Sequence, residues 1–137
     1  MFKKVLFALA LGAAASGALA WPNKPVTLLV PFPPGGSTDL IARQLSSKLG
    51  EKIGGTVIVD NKAGATGTIG AAQVARSPAD GHTLLVTSLG PLVIAPHLIK
   101  VSYDALKDLD PITVVVQAPN VLVVPAVSLR PSPMPLG

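Results

Sequence analysis

The stretch Val26-Thr27-Leu28-Leu29-Val30-Pro31-Phe32-Pro33-Pro34-Gly35-Gly36-Ser37-Thr38-Asp39 decides the fold. Val26 to Val30 is a continuous apolar and β-branched run, the pattern of a strand buried on both faces. Pro31, Pro33 and Pro34 forbid its continuation, because proline lacks the N–H a sheet ladder needs. Gly35-Gly36 lets the backbone turn tightly and come close to a ligand. Ser37 or Thr38 is then expected to cap the helix that follows. A helix opening here leaves backbone N–H groups without partners, and such groups attract anions.

The same pieces recur in order along the chain. Thr56 to Asn61 reads as a second strand, and Gly64-Ala65-Thr66-Gly67-Thr68-Ile69-Gly70 as a Gly-rich loop opening a second helix through Arg76. Asp80-Gly81 is a turn signal, and Thr83 to Thr87 a third strand. In the first helix Leu40, Ile41, Ala42, Leu45 and Leu49 form the apolar face, with Arg43, Gln44, Ser47 and Lys48 opposite. It ends at Gly50 or at Gly54-Gly55. The second helix carries Ile69, Ala72, Val74 and Ala75 and stops near Ser77-Pro78. Pro91 and Pro96 allow only short helical turns between Leu89 and Lys100, and Val101 to Leu109 reads as a short helix or a loop. Ile112 to Gln117 and Val121 to Val124 read as two further strands around Pro119-Asn120. Strands alternating with helices predict βαβ units and a mainly parallel α/β sheet. Ligands of such sheets bind beyond the carboxyl ends of the strands, where both Gly-rich turns fall.

With Trp21-Pro22-Asn23-Lys24-Pro25, Tyr103-Asp104 and Asp110-Pro111-Ile112, this ordered set resembles the extracytoplasmic solute receptors of tripartite tricarboxylate transporters, the Bug or TctC type. The resemblance covers Trp21 to about Val124. It implies a receptor with two α/β lobes around a cleft, as in type II periplasmic binding proteins. Such receptors are not enzymes; they bind small carboxylates and deliver them to membrane permease subunits. By that resemblance residues 21–125 are an incomplete first lobe, and the chain is a monomer. After Val124 the pattern gives way to a tail in which Pro131, Pro133 and Pro135 forbid a helix. Family members are more than twice this length. The expectation is a chain cut short, by a frameshift near Leu129, with residues 126–137 a divergent Pro-rich tail.

The N-terminus has the layout of a secretory signal peptide: Lys3-Lys4, an apolar run from Val5 to Ala15, and Ala18-Leu19-Ala20 before the cleavage point. The apolar run is shorter than the roughly 20 residues a spanning helix requires. Cleavage after Ala20 removes 20 of 137 residues and leaves 117, enough for one small domain. It also removes Lys3 and Lys4, so the formal net charge falls from +4 to +2. The remaining basic residues are scattered and aromatics are few, so there is no nucleic-acid footprint. The chain has no cysteine, which excludes disulfides and thiolate chemistry and suits a periplasmic location.

Gly-rich helix starts supply a carboxylate with several donors and need no buried cationic side chain. Each contributes about 0.3–1 kcal/mol of favourable dipole interaction when exposed. The ligand-binding residues expected on this logic, and on the resemblance, are Phe32, Pro34, Gly35, Gly36, Ser37 and Thr38 in the first loop. Gly64, Ala65, Thr66, Gly67 and Thr68 are those of the second, with the Thr87 and Ser88 hydroxyls beyond strand three. Asp39 would repel a carboxylate, so it is read mainly as a stabiliser of the loop or helix, with a contact to a ligand amine or hydroxyl as its other role. Asn61 is read as orienting the second loop, Arg76 and Lys62 as solvated charges, and His82 as a strand-edge residue where the family usually carries Tyr. Gly64, Gly67 and Gly70 have a second reading, as positions of close helix–strand packing. No cofactor and no metal site is expected. Ser37, Asp39 and His82 make a triad by composition only, without a nucleophile-elbow pattern. Two alternatives stay open: a phosphate- or nucleotide-binding enzyme module using the Gly-rich loops, and a product without function. Against the former, Gly64-x-x-Gly67-x-x-Gly70 is not the dinucleotide fingerprint, and no P-loop lysine follows.

Overall fold

The computed structural model describes residues 21–119, 121 and 123. The expected export segment, the Pro-rich tail and half of the expected strand Val121–Val124 lie outside the described residues.

Three strands form one parallel sheet: β1 (Val26–Val30), β2 (Val57–Asn61) and β3 (Thr83–Leu85), in the order β2-β1-β3. Val26 pairs with Val57 and Val30 with Asn61, while Thr27 pairs with Thr83 and Leu29 with Leu85. The ladder runs one residue past β3, where Val86 N–H donates to Leu29 O at 2.9 Å. β1 is therefore the central strand. Val26, Leu28, Leu29 and Val30 are buried, as a strand covered on both faces requires.

Helix α1 (Ser37–Ile53) connects β1 to β2, and α2 (Thr68–Ala75) connects β2 to β3. The first crossover steps from β1 to one side, and the second steps back past β1 to the other. Right-handed crossovers in opposite directions place α1 and α2 on opposite faces of the sheet. α1 packs on β1 and β2, and α2 on β1 and β3. Gly54 ends α1 in the left-handed conformation (φ 63°), its N–H bonded to Gly50 O. Ala71, Ala72 and Tyr103 form a small core with Leu85, Leu92 and Val101 packed around it. The Tyr103 hydroxyl donates to Pro91 O. A π-type turn (Gly90–Ile94) and α3 (Ala95–Leu98) follow β3, the short helical turns that Pro91 and Pro96 permit.

Three expectations are corrected, on the cap of α1, on Leu40 and on Ile112–Gln117. Neither Ser37 nor Thr38 caps α1: the cap position is Gly36, and the side chain that reaches back is Asp39. Leu40 does not face the core but is 55% exposed, because Asp39 and Ala42 take the face against the sheet. Ile69 is likewise 55% exposed, since Gly70 and Ala71 make the close approach to β1. Ile112 to Gln117 is irregular and exposed throughout, not a strand. Its β-branched residues favour extended backbone, but no described strand lies alongside to take its hydrogen bonds.

Candidate functional site

All three strands are parallel, so the loops following them leave the same edge of the sheet. The first loop runs from Pro31 to Gly36, the second from Lys62 to Gly67, and Thr87-Ser88 follow β3. The chain order reverses at β1, and the crevice beside such a reversal is where open α/β sheets hold ligands.

In the first loop Gly35 has φ +86°, a conformation that costs other residues energy, and the space a Cβ would fill there is open. The first helical hydrogen bond of α1 is donated by Leu40 to Gly36 O at 3.0 Å. The Ser37, Thr38 and Asp39 N–H groups precede it and have no acceptor inside the helix. Ser37 is exposed and Thr38 half-buried at this opening. The Gly35 N–H is not free: it donates to Asp39 Oδ2 at 2.8 Å.

Asp39 is 2% exposed, yet three donors meet its carboxylate. Besides Gly35, Arg43 Nε donates to Oδ2 at 2.9 Å and Asn61 Nδ2 to Oδ1 at 2.9 Å. Asn61 Nδ2 also reaches Phe32 O at 3.1 Å, and Arg43 Nη2 donates to Asn61 Oδ1 at 3.2 Å. The Arg43 hydrogen bond, then those from Gly35 and Asn61, hold the Asp39 carboxyl at about 2, below its ordinary 3.8. Asp39 thus acts as the stabiliser of the first loop and helix start. Asn61 ties down the first loop, through Phe32 O, rather than the second. Arg43, placed by periodicity on the solvated face, is the missed member of this group. Its i,i+4 spacing from Asp39 was the available signal.

The second loop carries a run of four positive φ values: Gly64 138°, Ala65 44°, Thr66 58° and Gly67 91°. Two of these residues are not glycine, so the loop holds local backbone strain. Gly67 N–H donates to Gly64 O at 2.9 Å and Thr68 Oγ1 to Ala65 O at 2.9 Å, closing a 3₁₀ turn onto α2. A Cβ on Gly67 would stand 2.6 Å from Pro91 Cγ and 3.4 Å from the Phe32 ring. Gly67 is therefore where the first loop, the second loop and the turn after β3 meet. At Gly70 a Cβ would stand 2.7 Å from Pro31 Cβ, so the packing role expected of these glycines is real there.

The Thr68 hydroxyl is engaged inside its own turn, and Thr87 Oγ1 donates to Ser88 O at 3.3 Å. Ser88 is exposed at the same edge of the sheet. Arg76 Nη2 donates to the Ser102 hydroxyl at 2.8 Å, and Lys62 lies 3.4 Å from Asp60.

His82 belongs to the opposite end. Its carbonyl accepts from Thr27 N–H, at the amino end of β1 and β3. Five residues of β1, about 16 Å at roughly 3.3 Å each, separate that end from the loops. His82 stands at the start of the edge strand β3, as expected, but is buried; Nδ1 lies 3.0 Å from Asp80 O, and its ring lies 5.8 Å from that of Trp21. Ser37, Asp39 and His82 therefore cannot act as a triad. Among the described residues no three His, Cys, Asp or Glu side chains group as metal ligands, and no helix is long and apolar enough to cross a membrane.

The arrangement offers backbone donors at a helix start beside a second glycine loop, a set suited to an anion held without a buried cation. Comparison with known proteins places the chain in a family. Residues 41–132 match the family model "Tripartite tricarboxylate transporter family receptor", running seven residues beyond Pro125. A UPF0065 protein from the tcbD-tcbE intergenic region of Pseudomonas sp. (strain P51) is 48% identical over 107 residues, 78% of this chain and 32% of its own length. Protein BugT of Bordetella pertussis is 45% identical over 113 residues, 81% of this chain and 35% of its own. The chain thus spans about a third of the length of these relatives. Among solved structures, a periplasmic transporter superposes with a TM-score of 0.61 at 39% identity, over 64% of this chain and 30% of that one. MatC from Rhodopseudomonas palustris, with bound malate, gives 0.57 at 36% identity over the same shares. The fold is that of a periplasmic binding protein lobe, and the chain belongs to the tripartite tricarboxylate transporter receptor family.

Proposed function

We propose that this chain carries the first-lobe part of a receptor site for a small organic carboxylate. The observation that carries the reading is the mouth of α1, where the Ser37, Thr38 and Asp39 N–H groups precede the first helical bond beside the Gly64–Thr68 loop. A carboxylate there accepts backbone hydrogen bonds and gains from the dipole of a 17-residue helix. The malate bound to MatC supports a carboxylate rather than a phosphate ester as the ligand class.

On this reading residues 1–20 are an export signal cleaved after Ala20 and residues 21–125 belong to the first lobe, with the family match running on to residue 132. The receptor works as a monomer in the periplasm and hands its ligand to the permease subunits of a tripartite transporter. The first lobe supplies one wall of the cleft in which the ligand sits.

The test uses the chain recovered from the periplasm of an expression host. Mass spectrometry is expected to find Trp21 as its first residue. Thermal unfolding is then followed with mono-, di- and tricarboxylates and amino acids. A saturable rise in melting temperature with one carboxylate class is the expected result. A melt indifferent to the whole panel overturns the reading.

A further inference from the structure

A buried carboxylate at the mouth of α1 works against the proposed ligand. Asp39 lies in the first turn of the helix whose N–H groups are to receive an anion, and it is ionised at neutral pH. Its geometric role explains why a charged acceptor sits there. One oxygen fixes the Gly35 N–H and the other holds Asn61, which in turn holds Phe32 O. Hydrogen bonds to an ionised acceptor are about twice as strong as neutral ones, so a carboxylate fixes this loop better than an amide would. The cost is a negative charge beneath an anion site.

Of the three donors that meet the carboxylate, only Arg43 is charged. Its Nε bonds Asp39 Oδ2, and its Nη2 is anchored on Asn61 Oδ1, so the guanidinium is held at two points although half its side chain is exposed. No other cation pairs with Asp39 among the described residues; Lys62, at the end of β2, pairs with Asp60. We propose that Arg43 is a charge-compensating positioning residue of the carboxylate site: it cancels the Asp39 charge beneath the first loop and so lets the mouth of α1 accept an anion. Arg43 does not touch the ligand. Its effect reaches the ligand through Asp39, and it rests on the carboxylate-receptor reading above.

The consequence is a particular pattern of coupling. Removing the Arg43 charge leaves Asp39 ionised and unopposed within several ångströms of the bound anion. At an effective dielectric of about 20–40 this weakens a carboxylate by about tenfold. With the Asp39 charge also removed, loss of Arg43 costs less than about threefold, because nothing remains to be compensated.

The experiment is calorimetric titration of the full exported chain with malate, and with the uncharged diamide of malate, for wild type, R43M, D39N and the D39N/R43M double variant. Melting temperatures are taken for each, and R43Q serves beside R43M where the latter melts early. The expected result is a tenfold loss for malate on removing Arg43 from wild type, a loss under threefold in the D39N background, and no change for the diamide in either. An equal loss in both backgrounds, or an equal loss for the diamide, marks Arg43 as merely structural and overturns its role. Wild-type chain that binds no carboxylate in the panel overturns the receptor reading itself, and the role falls with it.

Discussion

Gly70→Ala puts the packing of α2 on β1 to the test. In an exposed helix interior the change from glycine to alanine stabilises by about 1 kcal/mol. Here the added methyl would stand 2.7 Å from Pro31 Cβ, 2.9 Å from Leu29 Cδ2 and 3.0 Å from Pro31 Cα. A leucine tip can rotate away, but a proline ring and a backbone carbon cannot. The helix must lift, loosening Ala71 and Ala72 from Tyr103 and Leu85. Overpacking costs about 1–3 kcal/mol, and against an unyielding proline ring and backbone about 2–3 kcal/mol, so the net effect is a loss of about 1–2 kcal/mol. For a domain of this size that lowers the melting temperature by about 4–15 °C. The assay is thermal and urea unfolding of the exported chain at neutral pH, with Gly36→Ala as control. Gly36 has φ −75°, and its nearest foreign atom is Pro33 O at 3.7 Å, an ordinary contact. As the cap of α1 it favours glycine over alanine, but alanine fits its φ and loses less chain entropy on folding, so the two effects offset to within about 0.5 kcal/mol of wild type. A Gly70→Ala melting temperature equal to or above wild type refutes the close approach of α2 to the first loop.

Gly67→Ala combines a φ of +91° with a methyl 2.6 Å from Pro91 Cγ, so it should cost about 2–4 kcal/mol in urea unfolding and, on the proposed reading, weaken carboxylate binding by displacing Phe32. Thr66→Gly relieves a β-branched residue at φ 58° and should leave the urea midpoint unchanged or raise stability by up to about 1 kcal/mol; a clear loss would show that the threonine side chain has a stabilising contact. Tyr103→Phe strips the donor from Pro91 O and should cost about 1–2 kcal/mol by the same measurement. Asp39 and Asp80 are both held at about 2 against an ordinary 3.8, the former chiefly by Arg43 and the latter chiefly by Lys24. A lowered folded-state pKa gives stability that is full above about 4 and is lost as pH falls through about 2. The urea midpoint should therefore drop across that window, and less steeply in D39N.

The architecture was legible because it rests on local chemistry. A two-sided apolar run needs two covering layers, and the helices between strands supply them. Pro31 to Gly36 could end a strand and open a helix in few other ways. The exposure of Leu40 and Ile69 was harder to read. Apolar periodicity selects a face, but a close approach is made by the smallest residues, and Ala42, Gly70 and Ala71 took the positions nearest the sheet. The Ile112–Gln117 expectation failed for another reason. β-branched residues specify extended backbone, whereas a strand also needs a neighbouring edge, and that is a property of the assembled fold.

The candidate site divides along the same line. Its glycines were visible as glycines, and the structure gives each a separate cause. Gly35 supplies a positive φ in open space, Gly70 admits the Pro31 backbone, and Gly67 does both at the junction of three loops. The group formed by Asp39, Arg43 and Asn61 was only half visible. Asp39 to Arg43 is a helical i,i+4 pair, but Asn61 joins it from 22 residues away through the β1–β2 register that sets Val30 against Asn61. That register links the end of one strand to the loop that follows the other. The same asparagine that ends β2 thereby fixes the Phe32 carbonyl, and with it the backbone that leads to the donors at the mouth of α1. On the proposed reading the donors that face the ligand are backbone groups that any sequence carries. If that reading holds, what makes them a site is the set of side chains beneath them, Asp39, Arg43 and Asn61, as much as the glycines above.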